Sequence, residues 1–174
     1  MKISVDAIKE LRNLSSASIA ECKKALHDSD GDIKKAIGLL RKRGLEMAAK
    51  KQDKQSQEGR IEAYVHMGNK IGVLLEVNCE TDFVAKNEAF GQFTKDIAMQ
   101  ITASNPLYIK REDVPADVLD KEQDKELFFK DNCLLEQVFV KDPAITIKDY
   151  LGSLIAKFSE HIVIRRFIRY KLGE

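Results

Sequence analysis

The sequence predicts an α+β fold, with a three-helix unit at the amino end and a small antiparallel sheet packed with helices beyond it. Three observations carry that reading. Apolar residues recur every three or four positions through the first 40 residues, two apolar runs flank a Gly68-Asn69 turn, and an alternating apolar and cationic run closes the chain.

Val5, Ile8 and Leu11 form the first helical stripe, Ile19, Cys22, Ala25 and Leu26 the second, and Ile33, Ala36, Ile37 and Leu40 the third. Ser15, Ser16 and Ser18 are candidate caps for the second helix, Asp30-Gly31 breaks before the third with Asp30 or Asp32 capping it, and Gly44 is placed to end it. The expected domains are a three-helix domain over 1–50, a polar linker over 51–60 and an α+β core domain over 61–174. A bundle this small has a small core, which suits a docking module. Strands over Ile61–His66 and Ile71–Cys79 make a hairpin. Phe90, Phe93, Ile97 and Ile101 then share one helix face, and Pro106 stops that helix soon after Ser104. Asp117–Lys130 is expected as a further helix with Pro115 near its first turn, and Ile147–Phe158 as another with Thr146 as its cap. The run Ile162–Leu172 fits a strand, with Ile162, Ile164, Ile168, Tyr170 and Leu172 on one face and Arg165, Arg169 and Lys171 mainly on the other.

A charged fraction of 33% beside 44% hydrophobic residues describes a well-hydrated globular protein. Net charge is only +1, but residues 1–60 hold 14 Lys/Arg against 9 Asp/Glu, so the amino-terminal third is basic. Overall charge does not argue for nucleic acid. Three widely spaced cysteines, Cys22, Cys79 and Cys133, with no C-x-x-C pairing, suggest reduced thiols. No cationic, apolar leader opens the sequence, and no apolar run approaches the roughly 20 residues of a membrane span, so the expected location is the cytoplasm, or an equivalent organelle compartment where a transit peptide has been removed.

Catalysis requires a nucleophile with its base, a paired acid and base, or metal ligands at usable spacing. None stands out. His27, His66 and His161 are isolated at the ends of elements, Cys22 lies on an apolar stripe, and no G-x-x-x-x-G-K-S/T phosphate loop is present. The expectation is a protein that is not an enzyme, with no cofactor and no metal. Arg165-Arg166-Phe167-Ile168-Arg169-Tyr170 mixes cations with aromatics as single-strand RNA binders do, yet strand alternation accounts for it without RNA. Arg41-Lys42-Arg43 places cations near a helix end, where the carbonyl pole favours them.

The remaining feature is Asn78-Cys79-Glu80-Thr81-Asp82-Phe83-Val84-Ala85-Lys86-Asn87, which follows the strand Ile71-Gly-Val-Leu-Leu-Glu-Val77 and puts a phenylalanine at a helix start. Phe83 there either packs on its own core or faces outward as a contact side chain. Thr81 can cap the helix, and Asp82 either meets the positive helix end or is offered to a partner. The segment resembles the signature of translation elongation factor Ts. So do Ile8-Lys-Glu-Leu-Arg12, Cys22-Lys-Lys-Ala-Leu26, Asp30-Gly-Asp-Ile-Lys-Lys-Ala36 and Leu39-Leu-Arg-Lys-Arg-Gly44, in the same order, and toward the carboxyl end Leu134-Leu-Glu-Gln137, Val140-Lys-Asp-Pro143 and Ile164-Arg-Arg-Phe-Ile-Arg169.

The resemblance implies a guanine nucleotide exchange factor for the GTPase elongation factor Tu. It implies that Phe83 enters the GTPase domain beside the switch region and displaces the magnesium ion indirectly, with Thr81, Asp82 and Val84 completing the site and Asp82 and Phe83 meeting the partner. It implies that residues 1–50, a unit similar to ubiquitin-associated domains, dock on the same GTPase domain. Longer members carry the core unit twice, so this single-copy chain is expected to form a homodimer, with no membrane contact and no direct nucleic acid. Ser16 stands where the family typically has glycine, Val138 where it has proline, and the stretch Lys121–Cys133 reaches Leu134 sooner than usual. Two other readings remain from the residues: a three-helix adaptor, which leaves the Thr81-Asp82-Phe83 junction unexplained, and a ribosome-associated RNA binder.

Overall fold

The computed structural model describes residues 3–50, with side chains through residue 46, and residues 56–174. From the amino end come the helices α1 (Val5–Ser15), α2 (Ile19–Asp28) and α3 (Ile33–Lys50), then strands β1 (Glu58–Val65) and β2 (Ile71–Cys79). A single-turn helix α4 (Asp82–Ala85) leads into α5 (Glu88–Ser104), followed by the short helices α6 (Ala116–Leu119) and α7 (Lys125–Asn132). Strands β3 (Val138–Phe139) and β4 (Asp142–Thr146) precede α8 (Ile147–Phe158), and β5 (Val163–Lys171) is last. The mixture is the expected α+β class. It divides into two compact units, Met1–Gln55 with Asp149–Ile162, and Ser56–Lys148 with Val163–Glu174.

In the first unit, Leu11, Ala17, Cys22, Ala25, Leu26, Ala36 and Leu40 make the core of α1 to α3. Caps fix where the helices begin: Ser4 Oγ accepts from the Ala7 N–H at 3.1 Å, Ser18 Oγ from Glu21 at 3.2 Å and Asp32 Oδ1 from Lys35 at 2.9 Å. Ser16 closes α1 in the left-handed region at φ 55°, donating its N–H to the Arg12 carbonyl, which is why a glycine suits this position. Val5 and Ile19, expected on buried stripes, are exposed because each opens its helix ahead of its first buried residue, Leu11 or Cys22. Gly44 does not end the third helix, which runs on to Lys50. Its lack of a side chain serves packing instead: a Cβ on Gly44 would strike the Gly152 carbonyl of α8, and one on Gly152 would crowd the Arg41 carbonyl of α3. Beside this backbone contact, Arg41 Nε donates to Ser153 Oγ at 3.2 Å.

In the second unit, β1, β2 and β5 form one antiparallel sheet in the order β1-β2-β5. The hairpin turns as expected, with Gly68 and Asn69 at positive φ and the Asn69 N–H on the His66 carbonyl at 2.9 Å. β1 starts at Glu58, inside the polar stretch, because Glu58, Gly59 and Arg60 pair with Cys79, Asn78 and Val77; residues 51–55 lie outside the described residues. Val73, Leu75, Val77 and Cys79 point to the inner face, where α5 packs Phe90, Phe93, Ile97 and Ile101 at full burial.

The final strand departs from expectation. Arg165 is an extra residue between the Ile164–Val77 and Arg166–Glu76 pairs, and this bulge inverts the alternation beyond it. Phe167 and Arg169 therefore turn inward, whereas Ile168 and Tyr170 join Ile61, Val65 and Leu74 on the exposed outer face. A shallow groove lined by Ile61, Leu74 and Ile168 lies on that face beside the Glu76–Arg166 ion pair at 2.6 Å.

Asp117–Lys130 is two helices, since the run between Leu119 and Leu127 offers no apolar side chain and Asp124 caps a fresh start by accepting from the Leu127 N–H at 2.9 Å. Arg111 ties this stretch together through Glu126 at 2.7 Å, Glu136 at 2.8 Å and a stack over Phe129 at 4.7 Å. The β3–β4 ribbon was not foreseen, because a two-residue strand has no period to read. Gln100 of α5 holds it, donating to the Val138 carbonyl at 3.2 Å and accepting from the Val140 N–H at 2.9 Å. Lys141 reaches Asp96 of α5 at 2.6 Å. Among the described residues no helix is long and apolar enough to cross a membrane.

Candidate functional site

The turn from β2 into α4 is built from residues that face inward and presents one that does not. Leu75, Val77 and Cys79 anchor the strand under α5, and the Cys79 thiol donates to the Thr81 carbonyl at 3.1 Å. Thr81, extended at φ −128°, caps α4 with its hydroxyl oxygen accepting from the Val84 N–H at 3.4 Å. Val84 and Ala85 are buried at 7% exposure each, so the four-residue helix is seated by its second half. Asn87 then starts α5 by accepting from the Ala89 N–H at 2.9 Å.

Phe83, between Asp82 and Val84, is 82% exposed. Leaving a Phe side chain in water forgoes about 1.5–3 kcal/mol of burial, and the elements on either side hold it there. Asp82 Oδ2 pairs with Lys86 Nζ at 2.7 Å, one helical turn on. The hydrogen bond from Lys86 holds the Asp82 carboxyl below the usual carboxylate range, and Asp82 in turn raises the Lys86 ammonium. Thr81, Asp82, Phe83 and Val84 thus share one turn, two of them turned inward to fix it and two turned outward. Reading the sequence missed Lys86, whose signal was its four-residue spacing from Asp82.

Elsewhere the chemistry is structural. Among the described residues no group of three or more His, Cys, Asp or Glu gathers as metal ligands do. His27 Nδ1 lies 3.4 Å from Asp28 and His66 Nδ1 3.2 Å from the Tyr64 hydroxyl. All three cysteines are buried, and burial pushes the Cys133 thiol up to about 11, which keeps it protonated at neutral pH.

Comparison with known proteins places this chain in a family. The family model described as Elongation factor TS matches residues 2–127 and, as a second segment, 124–174. The elongation factor Ts of Caldanaerobacter subterraneus subsp. tengcongensis is 49% identical over 195 aligned residues covering 99% of this chain and 98% of that protein. That of Carboxydothermus hydrogenoformans is 48% identical, covering 99% and 90%, and that of Thermodesulfovibrio yellowstonii 47%, covering 100% and 98%. An alignment of 195 positions on a 174-residue chain leaves roughly two dozen positions of the first relative without a counterpart. The family match breaks and restarts at 124–127, at the boundary of α7 and inside the shortened stretch. With the model matched across nearly every residue and relatives near half identity end to end, the chain belongs to the elongation factor Ts family.

Proposed function

We propose that this chain serves as its family's translation factor, a guanine nucleotide exchange factor for elongation factor Tu, with the β2–α4 turn as its working edge. Phe83 enters the GTPase domain beside the switch region and the magnesium site, and Asp82 offers its carboxylate alongside. Thr81 and Val84 hold that edge in shape. The observation that supports this most is the exposure of Phe83 on a turn whose neighbouring side chains are buried, since a contact residue held this way loses little freedom on docking.

One side chain is too little. A GTPase that holds nucleotide at nanomolar affinity has about 12 kcal/mol of binding free energy, against about 1.5–3 from one buried Phe. An interface of roughly 1,600 Å² supplies the difference, and linkage makes nucleotide weaken the factor equally in return. Residues 1–50 contribute to that interface as a docking domain. The factor makes and breaks no covalent bond, carries no cofactor of its own and works in the cytoplasm, where translation runs.

A second copy of the chain completes the assembly. The outer sheet face supports this: Ile61, Val65, Leu74, Ile168 and Tyr170 leave an apolar surface in water, and the Glu76–Arg166 pair within it balances its own charge. The test of exchange is the release rate of a fluorescent guanine nucleotide from elongation factor Tu. The intact chain accelerates release, and Phe83→Ala loses most of the acceleration while keeping its thermal midpoint; binding without acceleration would refute the reading.

A further inference from the structure

Two backbone hydrogen bonds span α4, Ala85 N–H to the Thr81 carbonyl at 3.2 Å and Lys86 N–H to the Asp82 carbonyl at 2.9 Å. A helix this short does not persist alone in water. Its inner side is anchored by Thr81, Val84 and Ala85. Its outer side, where Asp82 and Phe83 stand, has the link from Lys86 Nζ to Asp82 Oδ2 at 2.7 Å, which runs beside the backbone bond between the same two residues. Lys86 is otherwise open to solvent, with its side chain 76% exposed, and the field of Glu58 at the start of β1 also favours its charge. Among the described residues its side chain has one close partner, the carboxylate next to Phe83.

We propose that Lys86 is a positioning residue for nucleotide exchange, holding the Asp82 carboxylate against α4 so that Asp82 and Phe83 reach the GTPase as one preformed edge. This rests on the exchange reading above. A free aspartate distributes over about three staggered χ1 wells, so confining it to one is worth about threefold in the population ready to engage. Because the junction makes its closest contacts as nucleotide leaves, the loss falls on the maximal rate rather than on the half-saturating concentration of factor.

The experiment follows nucleotide release from elongation factor Tu with full-length chain as wild type, Phe83→Ala, Lys86→Met, Lys86→Arg, Asp82→Asn and the Lys86→Met/Asp82→Asn double variant. The expected result is about a threefold lower maximal rate for Lys86→Met at an unchanged thermal midpoint, recovery with Lys86→Arg, and no further loss from Lys86→Met once Asp82 is Asn. A full rate for Lys86→Met, or losses that multiply in the double variant, would overturn the proposal while wild-type activity and its loss in Phe83→Ala left the exchange reading standing. A loss that comes with a lowered midpoint and that Lys86→Arg does not recover would also overturn it. A wild-type chain that gives no acceleration overturns both.

Discussion

Leu75 and Leu74 are neighbours on one strand with opposite surroundings. Leu75 points beneath α5 with Val73 and Val77 and is fully buried, whereas Leu74 stands on the other face beside Ile168, 48% exposed. In a sheet covered on one side, alternation normally sets apolar residues inward and polar ones outward. Here both faces carry apolar residues, and among the described residues of this unit only the inner one is covered, by α5. The difference separates two roles for the same residue type: the inner face holds the unit together, and the outer face is the one we propose for association.

The largest effect that sharpens this contrast comes from Leu75→Ala, which costs about 2–5 kcal/mol of unfolding free energy by the usual cost of truncating a buried leucine. Leu74→Ala costs less than about 1 kcal/mol. Denaturant titration of both measures the gap, and equal losses would erase the distinction between the faces. Next comes association. Ile168→Asp lowers the mass seen by light scattering at micromolar concentration from two chains to one; a single-chain mass for the unaltered protein would remove the proposed role of the outer face. The smallest effect concerns the ion pair on that face. The hydrogen bond from Arg166 holds the Glu76 carboxyl below its usual range, so its contribution is present above the ordinary carboxylate pKa and is lost as pH falls through the lowered folded value. Arg166→Met costs about 0.2–1 kcal/mol near neutrality and flattens that acid-side loss, which thermal melts across pH would detect; parallel curves for the two proteins would count against it.

Much of this was legible in the residues. The helix stripes, the hairpin and the α5 core face follow from periodicity alone, and Ile147–Phe158 is a helix over the expected span. The exposure of Phe83 was not decidable that way, because composition assigns a Phe to the interior and only the burial of Val84 and Ala85 turns it outward. The bulge at Arg165 was hidden for a related reason: one inserted residue leaves composition unchanged and reverses every later side chain. Gly44 misled as a stop signal, since a glycine needed for close helix packing and one needed for a left-handed turn look alike in sequence.

That glycine contact also has a consequence for the order of events during synthesis. Arg41 and Ser153, which bond beside it, are 112 residues apart, so the first unit waits for a helix made late in translation. At typical elongation rates of 5–20 residues per second the gap lasts roughly 5–20 s. During that interval α1 to α3 have only their own small core, and closing so long a loop adds entropic cost to the final step. The helices α1 to α3 thus leave the ribosome well before the helix that completes their unit.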